Sequence, residues 1–471
     1  MKKIIYSLIV AGALLQVGGC KKFLDVNDDP NNPTDVSEAL VLAPVETQIA
    51  TNIAAGSYSV QNINGPAIVT AYWMQELSLN QPQPQVDGYK LTQDEVDPIW
   101  FSLYSGIMQN LNIINSKAVS SGNHSYGVIA KVLTAYTLGV TTDLYGDIPF
   151  DDAFNGNFKP AYQTQEEIYS RIHEILDSAI LESTLDPGLK LPGTDDFIYN
   201  GDLDKWVKFA YSLKARNYMH LTNAPGYDAI TQSNLALQAI QNAFASADDE
   251  ANFAVYSANP SSENPWFKNI DADQGGVVLG KSFVDSLLSR NDPRLPVLAT
   301  EANGIFQGRL STTEADPDPT VYSVINEFYA GIDAPLSIFN YSEILFLKAE
   351  ATLYTTGVAD ALPIYQAAIE SHMEKLGISP GDAAAYIASR GDLTAANGLE
   401  KIIEEKVIAN FLSLENFNDW RRTGFPVLEV VPEPFVPEIP VRFPYPLAEI
   451  TSNSQPQHTL TLSDKVWWDG N

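Results

Sequence analysis

Apolar side chains return every three or four residues in stretch after stretch of this chain, the arc of a helix rather than the alternation of a strand. Tyr126–Val140 carries Val128, Ile129, Val132, Leu133 and Tyr136 on one such arc, and Gln165–Leu181 carries Ile168, Tyr169, Ile172, Ile175, Leu176, Ala179 and Ile180. Trp206–Leu221 follows with Trp206, Phe209, Ala210, Leu213 and Tyr218, and Leu235–Phe244 is its expected partner. Tyr341–Tyr354 and Leu362–Met373 form the clearest pair. The pattern predicts a mostly α fold. Residues 255–275, 302–340 and 423–471, rich in Pro, Gly, Asn and Ser, predict long loops with little regular structure. Loops of that length in a compact domain are usually functional.

Composition removes several function classes. At 471 residues the chain can bury a large core without metals or disulfides. A single cysteine excludes an intramolecular disulfide, an iron–sulfur cluster and a cysteine-based zinc site. A net charge of −30, with no long Lys/Arg run, argues against nucleic acid, because phosphate neutralisation needs a basic face. The five histidines are scattered, with no His-Glu-x-x-His spacing, and there is no Gly-x-Ser-x-Gly elbow or phosphate-binding glycine loop. These absences disfavour a zinc hydrolase, a serine hydrolase and a nucleotide-binding enzyme, and no cofactor or metal is expected.

The N-terminus gives the lone cysteine a role. Lys2-Lys3 form a basic start, Ile4 to Val17 an apolar stretch, and Gly18-Gly19 lead into Cys20. The apolar run falls short of the roughly 20 residues that a membrane-spanning helix needs. Val17-Gly18-Gly19-Cys20 resembles a lipobox, so residues 1–19 are expected to be a lipoprotein signal peptide and Cys20 the lipid-attachment site. Residues 20–36, dense in Asp, Asn and Pro, are expected to be a tether, with a single helical domain over 37–471. Asp25-x-Asn27-x-Asp29 mimics half a calcium loop but lacks its glycine and closing glutamate.

Several motifs carry a family likeness. Small residues at the helix contacts, Gly357, and Tyr365, Ala368 and Ile369 make the 341–373 pair similar to a tetratricopeptide unit. The Cys20-Lys-Lys-Phe-Leu-Asp-Val start, Asp143-Leu-Tyr-Gly-Asp-Ile-Pro-Phe150 and Asp292-Pro-Arg-Leu295 resemble SusD/RagB nutrient-binding outer-membrane lipoproteins. Tyr341–Ala351, Glu404-Glu-Lys406, Asn418–Gly424 and Pro440–Pro446 extend the resemblance in the family's order. The resemblance implies tetratricopeptide-like helix pairs in an α-α superhelix with long loop insertions. It also implies a lipid-anchored protein of the outer membrane, facing the cell exterior. Such proteins capture oligosaccharides, or in some members peptides, and deliver them to a TonB-dependent SusC-like transporter. No catalysis is implied.

Taken alone, most of these motifs read as structural. Gly146 allows a turn whose aspartates can bond local amides, Trp420-Arg421-Arg422 packs and pairs, and Trp100, Tyr104 and Trp206 fall at core spacing. A saccharide site needs flat aromatic rings beside amides and carboxylates that satisfy hydroxyls. Two segments have that make-up. Tyr72–Glu76 and Asn80–Tyr89 offer Trp73, Gln75 and Tyr89; Tyr256 and Asn259–Phe267 offer Asn264 and Trp266; Tyr322, Tyr329 and Phe339 are further candidates. The competing readings are a peptide-binding lipoprotein, a helical glycoside hydrolase using two carboxylates about 5–10 Å apart, and a scaffold with no small ligand.

Overall fold

The computed structural model describes residues 36–59, 62–270, 276–454 and 460–469. Cys20, the leader and nearly all of the tether lie outside them. In chain order the helices begin with α1 (Glu38–Asn52), α2 (Pro66–Trp73) and α3 (Asp97–Phe101), which runs into a π-helical segment, Ser102–Met108. Next come α4 (Gln109–Ser121), α5 (His124–Tyr145), α6 (Gln165–Glu182), α7 (Leu203–His220) and α8 (Ala229–Ile240). Four short helices follow: α9 (Pro265–Ile270), α10 (Lys281–Ser289), α11 (Leu295–Leu298) and α12 (Glu327–Ala330). The C-terminal part holds α13 (Tyr341–Thr355), α14 (Val358–Lys375), α15 (Pro380–Arg390), α16 (Gly398–Ala409), α17 (Glu415–Thr423) and α18 (Leu447–Ser452).

Side-chain caps set many of the helix starts. Thr164 and Glu167 form a capping box at α6, Asp202 accepts from the first turn of α7, and Asn340 accepts from Glu343 N at α13. Asp228 accepts from Thr231 N at 2.8 Å, so α8 begins earlier than its apolar arc alone suggests and ends at Ile240, not Phe244. Successive helices pack in pairs, α4 on α5, α5 on α6, α7 on α8 and α13 on α14, with α8 packed on α13. The predicted loops hold some regular structure, with α9, α12, α18 and the strand Leu336–Phe339 inside them, and further short strands form outside them. Strands β3 (Leu77–Leu79) and β5 (Val277–Leu279) pair antiparallel, as do β4 (Ala251–Phe253) and β6 (Leu336–Phe339), after the β1–β2 hairpin of Ser57–Ser59 and Asn62–Asn64. Non-local pairing of this kind leaves no periodicity in a short apolar run.

One contiguous apolar core runs from Leu42 on α1 to Leu462 near the C-terminus. At its centre is a network of charge. α7 supplies Arg216 and His220, α13 supplies Glu343 and Glu350, α16 supplies Lys406, and α17 supplies Glu415, Asp419 and Arg422, all buried. Arg216 donates to both oxygens of Glu343 at 2.8 and 2.7 Å, and His220 Nε2 lies 2.7 Å from Glu415. Lys406 Nζ is 2.7 Å from Asp419. Arg422 donates to both oxygens of Glu350 and to Asp419, the latter at 2.9 Å. Burial alone would raise the Glu415 carboxyl, yet His220, Arg216 and Lys406 hold it below the usual range. A second cluster joins Arg294 to Asp292, Glu405 and Tyr386.

The turn at Gly146 stands, with φ at 78°, but Asp143 is not one of its local acceptors. It lies in the last turn of α5, buried, and accepts from Tyr169 Oη at 2.6 Å and Trp468 Nε1 at 3.0 Å. Arg421 donates to the carbonyls of Asp143 and Val441 at 2.7 and 2.9 Å, so it ties chain segments together. Removing one member of a buried pair strands the other. Arg422→Met should lower the free energy of unfolding by about 3–5 kcal/mol, measured by denaturant titration, and a loss below about 1 kcal/mol would show the network to be dispensable.

Candidate functional site

The first aromatic segment is not a display. All eight residues of α2 are buried, because Pro66–Trp73 has no polar face and so sits inside the core. The Trp73 ring is 0% exposed, packed 5.2 Å from Phe443 and 5.6 Å from Phe417. Gln75 Nε2 donates to Glu429 O at 2.5 Å, and the buried Tyr89 hydroxyl accepts from Val431 N at 3.2 Å, so both residues fasten the 429–431 loop. The expected role of Trp73, Gln75 and Tyr89 as a ligand surface is therefore corrected: Trp73 is a core residue, and Gln75 and Tyr89 join the 429–431 loop to the core. Glu76 is buried as well, accepting from Leu412 N at 3.1 Å and Asn416 Nδ2 at 2.5 Å. Burial pushes its carboxyl up to about 8 against those two hydrogen bonds.

The second segment divides. Asn264 is fully buried; its Oδ1 accepts from Trp266 N at 2.7 Å and its Nδ2 donates to Ala334 O at 2.8 Å, which caps α9 and pins the loop. Trp266 is 3% exposed and plugs that loop onto the core. Neither can serve as an exposed platform. Phe339 is buried beneath the Arg216 guanidinium at 3.8 Å, Tyr329 packs on Phe411, and Tyr322 is half-buried near Arg309. Tyr256, from the same segment, does reach an open space.

That space is a cleft of about 370 Å³ between α1 and the 255–268 loop. One wall is the C-terminal half of α1, with Thr47, Thr51 and Asn52. The opposite wall is Phe253 and Tyr256, whose rings lie 5.0 Å apart at 57°, with Phe197 5.9 Å beyond Phe253. Ser261, Ser262, Glu263 and Lys268 form the rim. The Thr47 and Thr51 hydroxyls donate to Ala43 O and Thr47 O, each at 2.8 Å, which leaves their oxygens free to accept. The Tyr256 hydroxyl is buried without a hydrogen-bond partner among the described residues, and burial raises its pKa. A buried, unmatched hydroxyl on a cleft wall is a place for a ligand hydroxyl or a water. The loop is pre-set: Ser257 N donates to Ser262 O at 2.8 Å, and Ser262 N to Asn259 O at 2.7 Å.

Sequence reasoning missed the α1 wall. Its signal was available, since Thr47 and Thr51 stand one turn apart on the side of the helix away from Val45 and Ile49. Phe197 and Phe253 gave no comparable sign. Among the described residues the cleft's carboxylate is Glu263, 3.8 Å from Lys268 Nζ. Asp143 and Glu415 flank a space of about 20 Å³, too small for a sugar ring, and Asp151 and Glu174 share Arg171 on the wall of a separate cleft between α4, α5 and α6. Among the described residues no cluster of three or more His, Cys, Asp or Glu is arranged to hold a metal, and no helix is long and apolar enough to cross a membrane.

A stacked-helix body that holds a loop-built cleft of aromatic and amide side chains defines a binding protein of the helical-repeat class. The family model described as starch-binding and associating with the outer membrane matches residues 30–446, and the chain belongs to this SusD-like family. Solved structures share the fold. A SusD/RagB family protein from Bacteroides thetaiotaomicron is 24% identical, with a TM-score of 0.78 over 93% of this chain and 99% of its own. A chitin-binding protein is 22% identical, with a TM-score of 0.78 over 92% of this chain and 100% of its own. A chitin-binding SusD homologue from Flavobacterium johnsoniae is 20% identical, with a TM-score of 0.74 over 92% and 98%. A comparison with curated proteins finds no match.

Glu76 yields a test of the first segment as structure. Its folded-state pKa of about 8 lies above the unfolded value, so its contribution is complete at low pH and is lost as pH rises toward 8. Glu76→Gln should therefore become progressively more stable than the native chain between pH 5 and about 8, read as the difference in unfolding midpoint. A constant difference across that range would mean the carboxyl is already ionised at pH 5.

Proposed function

We propose that this chain is a cell-surface lipoprotein that captures saccharide chains and passes them to a TonB-dependent SusC-like transporter. The observation that carries the reading is the cleft between α1 and the 255–268 loop, where Tyr256, backed by the buried Phe253, faces Thr47, Thr51 and Asn52. An apolar C–H face of a sugar packs on such a ring while its hydroxyls meet amide and hydroxyl groups. A cleft of about 370 Å³ takes a short stretch of a chain, with the remainder running past its rim. Membership of a family described as starch-binding, and the fold shared with two chitin-binding proteins, support a glycan over a peptide. In this reading the site binds without cleaving: glycoside cleavage uses two carboxylates, and among the described residues Glu263 is the one that lines the cleft.

The anchor belongs to the same proposal. Residues 1–19 are removed as a leader, Cys20 carries the lipid, residues 20–36 are the tether, and one binding domain follows. A chain of net charge −30 is repelled by an anionic membrane surface, so lipid has to hold it there.

Affinity electrophoresis against starch and chitin oligomers tests the cleft. Tyr256→Ala should weaken retention by about ten-fold, equivalent to about 1.4 kcal/mol, whereas Trp266→Ala should lower the melting temperature instead. Retention of a peptide pool with no glycan would transfer the site to peptide capture, and new reducing ends from a bound glycan would overturn the non-catalytic reading. Cys20→Ser should shift the protein from the membrane to the soluble fraction of fractionated cells; continued membrane association would refute the lipid anchor.

A further inference from the structure

We propose that the cleft between α4, α5 and α6 is a second site for a short neutral saccharide, separate from the loop cleft and sharing none of its lining residues. Its volume is about 450 Å³, within the range of small-molecule sites and large enough for a disaccharide.

The aromatic wall of this cleft is made by an unusual backbone. The π-helical segment Ser102–Met108 interrupts the α3–α4 helix, and such segments concentrate at functional positions. It directs Tyr104 toward the 149–155 loop, where the Tyr104 hydroxyl donates to Pro149 O at 2.8 Å. The Tyr104 ring stacks on Phe154 at 6.3 Å and 26°, and Phe150 meets Phe154 edge-on at 6.1 Å and 77°. Phe150 and Phe154 are both half-buried and both line the cleft, so part of each ring faces it. The wall is held from behind and open in front.

The polar lining suits hydroxyls rather than charge. Arg171 is bonded to Asp151 at 3.0 Å and Glu174 at 2.8 Å, and Lys131 is paired with Glu182. Each cation of the cleft is thus already matched within the protein, and an anionic ligand finds no unopposed partner; Asp151 and Glu174 share the one Arg171 guanidinium at the exposed rim. What remains is amide and hydroxyl. Asn115 lines the cleft and its Oδ1 is buried with no hydrogen-bond partner among the described residues, a standing deficit that a ligand hydroxyl donor would fill. An aromatic wall, an unmatched amide oxygen, matched cations and rim carboxylates that can accept from hydroxyls are the needs of an uncharged sugar, met here on the helical layer instead of the loops.

The test uses the full chain, with N,N′-diacetylchitobiose and maltotriose as probes, in calorimetry and saturation-transfer NMR. Phe154→Ala removes the wall, and Ser178→Trp, from an exposed position on α6, fills the cleft without touching the core. At least one probe should bind at two sites per chain in the native protein, with Tyr256→Ala removing one and Ser178→Trp and Phe154→Ala each weakening the other by about ten-fold or more. Unchanged binding in Ser178→Trp overturns the second site, whether or not Phe154→Ala folds. Binding that survives Tyr256→Ala but is lost in Ser178→Trp upholds this site and refutes the loop cleft. Failure of both probes to bind the native chain refutes this site, while the longer oligomers still test the loop cleft.

Discussion

The architecture depends on a set of charges that water does not reach. Four helices from distant parts of the chain, α7, α13, α16 and α17, meet through Arg216, Glu343, Glu350, Lys406, Glu415, Asp419 and Arg422. Ion pairs in a dry interior are a weak source of net stability, because desolvation offsets most of the attraction. Their effect is on register. A carboxylate facing the wrong cation, or none, costs far more than a mispacked leucine, so one arrangement of the helices is singled out. The loops of the binding face hang from the frame so defined.

That network also explains which parts of the fold were legible in the sequence. Tyr341–Ala351, Glu404–Lys406 and Asn418–Gly424 stand out as motifs because they contribute Glu343, Glu350, Glu405, Lys406, Asp419 and Arg422 to buried pairs. Asp292-Pro-Arg-Leu295 stands out for the same reason, through Arg294. Helices with one apolar arc, such as α6 and α7, could be read within a few residues. α2 could not be assigned correctly from its aromatic content: a tryptophan next to amides suggests display, but a helix without any polar face is a core helix. The β3–β5 and β4–β6 pairings were invisible because their partners lie far apart in the chain, as with Leu77–Leu79 and Val277–Leu279.

The candidate site was legible by region and not by residue. The 255–267 segment does line a cleft, but Tyr256 faces it while Trp266 turns inward, a choice made by Asn264 capping α9. Composition identifies which side chains are present on a loop; the direction in which each points is decided by hydrogen bonds of the loop backbone. The wall opposite was harder, since Thr47 and Thr51 on α1 look like ordinary solvent-facing positions until the loop is folded over them.

Asn264 has one more consequence. Its side chain uses both its donor and its acceptor capacity to hold the 255–268 loop against Ala334 and the first turn of α9. A loop already set in place has little conformational entropy to lose when it is occupied. An arriving chain then meets a finished surface, so the rate of capture is governed by encounter and orientation, and differences among ligands are expressed in how long each one stays. In the capture-and-transfer role proposed above, where the ligand has to be released, residence time is the quantity that the few cleft contacts can adjust.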